Sequence, residues 1–171
     1  MKSWDREKAA LPARRKSRAA RDAIAKNLRG DGFARLWERT PPMPTPDAQR
    51  AFSEQVGKRE VETPAAVMPE KLISKGRNLA WLSQQTIGKI KARHPEVTAA
   101  RMQLVQKSVD GADVFAQDAR HWIGFARDDA GKLWAVGWKR LLGGKIYLTR
   151  MHRAKPKQLR HAEKTWRRVG K

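Results

Sequence analysis

Two hydrophobic periods alternate along the second half of the chain. Ser83 is a capping residue, and behind it Ile87 and Ile90 recur at helical spacing with Lys89 and Arg93 on another face, so a helix is predicted to run to Arg93. His94-Pro95 ends it, because proline disfavours helical geometry in the residue before it. Thr98 opens a second helix over residues 99–109, with Met102, Val105 and Val109 three and four apart. From His121 onward the period becomes two. His121–Arg127, Lys132–Arg140 and Lys145–Arg153 read as strands of a meander, turning at Asp128-Asp-Ala-Gly131 and at Leu142-Gly-Gly144. Asp113–Ala116 is a weaker strand ahead of them, Leu79–Leu82 is a short apolar strand, and a basic helix over residues 156–168 closes the chain.

The first seventy residues have a different texture. Residues 4–29 read as a helix whose few large apolar residues, Leu11, Ile24 and Leu28, are set among Arg, Lys and Ala. Arg14, Arg15, Lys16, Arg18 and Arg21 form a basic run, and Gly30 and Gly32 mark the helix end. So little apolar surface suggests a solvated arm. The stretch Thr40–Pro46 holds four prolines in seven residues and reads as a semi-rigid linker. Thr45, Pro46 and Asp47 then make a good start for a short helix over residues 46–56, and Pro64 and Pro69 bracket another loose stretch. The expected organisation is a basic helical arm (1–39), a proline-rich linker with a short helix (40–70) and a basic α+β domain (71–171). In that domain helices pack on a three- to four-stranded antiparallel sheet.

Charge sharpens this division. The chain has 171 residues, 38 Lys and Arg, 17 Asp and Glu, and a net charge of +21. Residues 71–171 hold 23 of the basic and 7 of the acidic residues, a net of +16, with all four His and five of the seven Trp. A one-sided basic surface with interspersed aromatics points to nucleic acid as ligand or substrate. Cysteine is absent, which excludes disulfides, thiolate metal sites and Cys nucleophiles. No stretch approaches the about 18 apolar residues of a membrane span. The N-terminus lacks the apolar run of a secretory signal, so a cytoplasmic or virion-associated protein is expected. No His-x-x-x-His, ligand-spaced carboxylate cluster or glycine-rich phosphate loop appears, so neither a metal nor a cofactor is expected.

Strand alternation divides the candidate chemistry between two faces. Trp134, Val136 and Trp138 share the face expected to pack on helices. Leu133, Ala135, Gly137 and Lys139 share the other, where small residues leave room for a ligand. On the last strand, parity puts Arg150 and His152 with Ile146 and Leu148. It puts Tyr147, Thr149, Met151 and Arg153 on the opposite face, a separation that only fraying or a bulge would remove.

The segment Leu82-Ser-Gln-Gln-Thr-Ile-Gly-Lys-Ile-Lys-Ala-Arg-His-Pro95, followed by strands of which the last is Lys145-Ile-Tyr-Leu-Thr-Arg-Met-His-Arg153, resembles phage and prophage nuclease-like domains. These are grouped with the barnase, EndoU, colicin and RelE ribonucleases and occur at the C-terminus of Mu-type phage minor head proteins. The resemblance covers residues 72–160. It implies helices on an antiparallel sheet and metal-free RNA cleavage across the open face. It matches His94 to the His of the His-Pro motif, Lys139 to a basic residue ending the middle strand, and Thr149 to the hydroxyl of the last strand. The chain departs from the pattern in having no Glu on the meander, hence no carboxylate base of the barnase kind.

Metal-free cleavage needs a base for the ribose 2′-OH, an acid for the leaving 5′-oxygen, and cations for the charge that develops. His94 is the leading proton-transfer candidate, with His121 or His152 as its partner. Lys139 and Arg153 would stabilise charge and Thr149 would bind a phosphate oxygen. Lys89, Arg93, Arg140, Lys145, Tyr147 and Arg150 would bind the nucleic acid, RNA rather than DNA. A toxin of this kind would meet an acidic immunity protein. The alternatives are a non-catalytic nucleic-acid binder, with Trp81, Trp122 or Trp138 stacking on bases, and a virion adaptor in which the N-terminal region docks on phage capsid components.

Overall fold

The period-two stretch after His121 forms the middle of a sheet larger than the meander alone. The computed structural model describes residues 3–73 and 78–170. In chain order the elements are α1 (Ser3–Arg29), α2 (Asp31–Arg39), α3 (Pro46–Val56), β1 (Glu62–Val67), β2 (Leu79–Ser83) and α4 (Gln84–Arg93). A 3₁₀ turn at Ala99–Gln103 then runs into α5 (Leu104–Asp110). β3 (Val114–Ala116), β4 (His121–Arg127), β5 (Leu133–Arg140), β6 (Ile146–Arg153), α6 (Pro156–Thr165) and β7 (Arg167–Arg168) follow. Among the described residues the strands form one seven-stranded sheet in the order β1-β2-β6-β5-β4-β3-β7. No described helix is long and apolar enough to cross a membrane.

The α+β class is as expected, but the sheet is not a three- to four-stranded antiparallel one. It is mixed, because β2 pairs in parallel with β6 through Ala80–Ile146 and Trp81–Tyr147. Two strands escaped the pattern for local reasons. β1 lies in the stretch read as linker; it is an outer strand, where Pro64 is tolerated at a register irregularity between Pro64 and Ala66. β7 is only two residues long and pairs with β3.

The N-terminal region packs on this sheet instead of standing off as a solvated arm. Leu11, Arg14 and Arg15 lie outside the described side chains. Ile24 and Leu28 of α1 join the main core beside β1 and the 3₁₀ turn, each burial being worth about 1.5–3 kcal/mol. Arg21 fixes the helix through a two-pronged ion pair with Asp110, at 2.9 and 3.2 Å. Asn27 Nδ2 donates to Thr63 Oγ1 at 2.9 Å. Gly30 separates α1 from α2, Gly32 lies inside α2, and Phe33, Leu36 and Trp37 of α2 are buried. The proline-rich stretch is a strap across α4. Met43 N–H donates to Gly88 C=O at 2.9 Å, and a Cβ on Gly88 would sit 2.6 Å from Met43 Cγ. Lys91 Nζ donates to the carbonyls of Trp37 and Thr40 at 2.7 and 2.6 Å, so this lysine serves the strap.

The two faces of the sheet are covered differently. Trp134, Val136, Trp138, Leu148 and Met151 form one core with Ile87, Ile90, Met102, Val105 and Val109. Gly124 lets α5 approach, since a Cβ there would lie 2.3 Å from Ser108 C=O. On the reverse face Phe115, Ile123, Phe125, Leu133 and Ala135 pack under Ala162 and Leu159 of α6. Beyond the reach of that cluster Lys139 and Tyr147 are half-buried and Arg150 is exposed.

The register of β6 against β5 explains where its polar side chains go. Gly137 pairs with Arg150, but the next residue, Trp138, pairs with Leu148. Thr149 is therefore the extra residue of a β-bulge. The bulge shifts the phase by one. Met151 joins Leu148 in the main core, paired with Val136, while Arg150 and His152 pair with Gly137 and Ala135 on the reverse face. The expected separation of His152 from the ligand-facing side is thus corrected, and so is the expectation that Met151 faces it.

Candidate nucleic-acid interface

A cavity of about 640 Å³ opens beside the bulge. α4 contributes Lys89, Ile90 and Arg93, and His94 caps that helix, its N–H donating to Ile90 C=O at 2.7 Å. Thr149, Arg150 and His152 come from β6, His121 and Trp122 from the start of β4, and Trp138 from β5. Gln117 and Gln158 complete the wall. The tertiary structure thus brings together residues up to seventy positions apart.

Three of the four histidines meet here. The His94 and His152 rings stack at 5.2 Å between centroids with 30° between planes, and His94 Nδ1 lies 3.5 Å from Glu96 Oε1. Burial, then the neighbouring charges of His94 and Arg150, push the His152 pKa below its usual value. Gln158 Oε1 accepts from the Lys155 N–H at 2.7 Å, which leaves its amide nitrogen facing His152 Nε2 at 3.4 Å. That orientation suits a neutral His152 with its lone pair on Nε2. His121 is held otherwise. Its Nδ1 lies 2.8 Å from Asp118 Oδ2, and Asp118 also accepts the backbone N–H groups of Arg120 and His121 at 2.8 and 2.9 Å. These bonds, that from Arg120 foremost, hold the Asp118 carboxyl below its usual range. Nδ1–H of His121 is thereby committed, and Nε2 is the nitrogen left for a ligand.

The cations around them lack carboxylate partners. Among the described residues, Lys89, Arg93 and Arg150 of the lining form no ion pair within 4 Å, and neither does Lys139, which does not line the cavity. Burial foremost, then the charges of Arg93 and Lys139, depress the Lys89 pKa. Arg150 lies over Gly137, where a Cβ would come within 2.6 Å of Arg150 Cγ. The room that small residues promised on this face is filled by the stem of this arginine. Its guanidinium donates to Gln117 Oε1 at 3.2 Å. Trp138 is 1% exposed, and its indole N–H has no acceptor among the described residues. A buried donor left unpaired is uncommon and calls for an acceptor.

Other expected site residues lie elsewhere. Arg153 is on the far side of the phase shift, paired with Trp134, and does not line the cavity. Lys145 and Tyr147 form a separate cluster with Glu62, Lys145 Nζ at 2.6 Å from Oε2 and Tyr147 OH donating to Oε1 at 2.7 Å. Burial opposes ionisation of Glu62, but the hydrogen bonds from Lys145 and Tyr147 outweigh it and hold the carboxyl below its usual range. β1 thus brings a carboxylate to the sheet that the meander lacks. The Lys145 ammonium also sits 5.0 Å from the Trp81 ring centroid. Arg140 lies over Trp122 at 5.4 Å and donates to Ala119 C=O at 3.1 Å. Trp122 and Trp138 are buried, which closes their faces to base stacking.

Sequence reasoning missed Asp118, Gln117, Gln158 and the donor role of Trp138. Asp118 had a readable signal, three residues before His121 across a turn. Gln158 had one at the third residue of a capped helix. Among the described residues no three His, Cys, Asp or Glu converge as metal ligands. No protein-family model, curated protein or solved structure matches the chain.

Proposed function

We infer that this protein is a ribonuclease-like effector that holds a single RNA strand in the cavity beside the β6 bulge and cleaves it by 2′-OH transesterification without a metal. The observation that carries the reading is the convergence of three histidines with Lys89, Arg93 and Arg150 on one cavity. His152, kept neutral by burial and positive neighbours, takes the 2′-OH proton on Nε2, the ribose hydroxyl replacing the Gln158 amide there. The 2′-oxygen bonds to phosphorus, the bond from phosphorus to the 5′-oxygen breaks, and His121, oriented by Asp118, returns a proton to that leaving oxygen. The products are a 2′,3′-cyclic phosphate and a 5′-OH. Lys89, Arg93 and Arg150 stabilise the charge on the phosphorane oxygens, and Thr149 Oγ1 and the Trp138 indole N–H supply neutral donors. His94 acts through its stack on His152, keeping that ring unprotonated.

The order of helix, His-Pro turn and meander supports a barnase- or RelE-like origin and a phage or prophage context. The cationic cavity also fits an acidic immunity protein as partner. The deciding experiment is incubation with end-labelled RNA in EDTA. Cyclic-phosphate ends that disappear in His152→Ala are expected. Salt-sensitive binding with no cleavage would instead favour the non-catalytic reading.

A further inference from the structure

A second cavity, of about 620 Å³, lies between α6 and the reverse face of the sheet. It adjoins the first, because Gln117, Arg150, His152 and Gln158 line both. The character of its lining differs. Ile123 and Phe125, 5% and 4% exposed, and Trp166 give it an apolar interior. The Trp166 ring is steadied by an edge-on contact with His161, 5.4 Å between centroids at 87°.

The polar groups at its rim point one way chemically. The Gln117 carbonyl is taken by Arg150 at 3.2 Å, and the Gln158 carbonyl by the Lys155 N–H at 2.7 Å. Of the lining side chains, the Gln117 amide N–H₂, the Arg150 guanidinium and the Lys157 ammonium can only donate, while the His161 imidazole, its Nδ1 3.5 Å from Thr165 Oγ1, can do either. Among the described residues no Asp or Glu lines the cavity. An apolar space with donors at its edge, lined in part by the proton-transfer group His152, matches a nucleobase whose rim carries carbonyl oxygens. Uracil O4 and the O6/N7 edge of guanine can accept from these donors, whereas the N6 amino group of adenine and the N4 amino group of cytosine in the same place would set donor against donor.

We propose that this cavity is a base-recognition subsite that selects uracil and guanine over adenine and cytosine next to the cleaved phosphate. The inference rests on the RNA reading of the adjoining cavity. A site that hydrogen-bonds a specific edge discriminates against analogues that leave its donors unpaired, so a preference of about tenfold is expected.

The test uses the full chain and short DNA oligonucleotides carrying a single ribonucleotide. The base on either side of the cleavable bond is varied through all four identities, and cleavage is measured in EDTA. Binding of the all-deoxy versions is followed in parallel by fluorescence anisotropy. Faster cleavage with uracil or guanine at one of the two positions supports the subsite. In Gln117→Glu, which replaces the donor by an acceptor, the preference should shift towards adenine and cytosine. Cleavage at equal rates within twofold for all bases at both positions overturns the subsite and leaves the nuclease reading intact. Absence of cleavage with the same base ranking in binding overturns the nuclease reading and keeps the subsite. Absence of cleavage without any ranking overturns both.

Discussion

Two polar clusters on this sheet use the same residue types to opposite ends. At Glu62, Lys145 and Tyr147, each charge has its partner within 2.7 Å and the lysine also covers an aromatic ring. Beside the β6 bulge, Lys89, Arg93 and Arg150 gather around three histidines and, among the described residues, form no ion pair, and a buried indole N–H finds no acceptor. Positive charge alone therefore does not mark a site. A folded protein tolerates uncompensated cations at a cost in self-repulsion, and the charges of Arg93 and Lys139 add to burial in depressing the Lys89 pKa. The first cluster ties strands together, whereas the second leaves its cations without such a partner among the described residues.

The largest expected consequence of this contrast concerns proton transfer. His152→Ala and His121→Ala should each lower RNA cleavage by about 10²–10⁴-fold, with thermal unfolding recorded to show that the fold persists. If both variants retain full activity, the comparison loses its chemical half. Next come the cations. Arg150→Gln and Lys89→Gln should each weaken binding to a single strand and reduce the slope of log affinity against log salt by about 0.7. A uniform loss with an unchanged slope would mean that these side chains do not meet phosphates.

A subtler probe leaves the arginine in place. Gly137→Ala puts a methyl where the Arg150 stem now lies, within 2.6 Å of Cγ. It should cost several-fold in binding with little change in melting temperature, because a flexible side chain yields more readily than backbone. Substituting Gly124 the same way meets the Ser108 carbonyl at 2.3 Å and should instead destabilise the fold, by about 1–3 kcal/mol.

Acidity offers a further handle. The His152 pKa is depressed in the folded chain, so between that value and the ordinary 6.5 the unfolded chain binds more protons. Stability should rise with pH through that window and be lost as pH falls below about 6.5. His152→Gln should flatten this dependence in urea titrations between pH 5 and pH 7, and an unaltered profile would argue against a buried neutral imidazole. The smallest effect belongs to the neutralised cluster. Glu62→Gln releases Lys145 and should raise single-strand affinity about twofold, a screened surface charge being worth little. A large loss of affinity or activity would show that the cluster belongs to the working surface after all.

Much of the architecture was legible locally. Ser83, Thr45 and Pro46 announced helix starts, Pro95 announced a stop, and alternation through Trp134, Val136 and Trp138 named the face that packs on α4 and α5, but not that α6 covers Leu133 and Ala135 on the other. Strands without that alternation were not legible. Pro64 concealed β1, and β7 is too short to carry a period. The strap was read as a linker because its prolines are local signals, while its anchors, Gly88 and Lys91, are far along the chain.

By itself the sequence determined the α+β class, the concentration of positive charge after residue 71, and the residue types available for chemistry, because these depend on composition and on neighbours a few positions apart. The cavity was decided by tertiary structure. One extra residue at Thr149 turned Arg150 and His152 onto the ligand-facing side, and α4 delivered His94 against His152. Parity along a strand is a local rule, but whether a strand keeps it is set by its register with the next strand, which only the folded chain supplies.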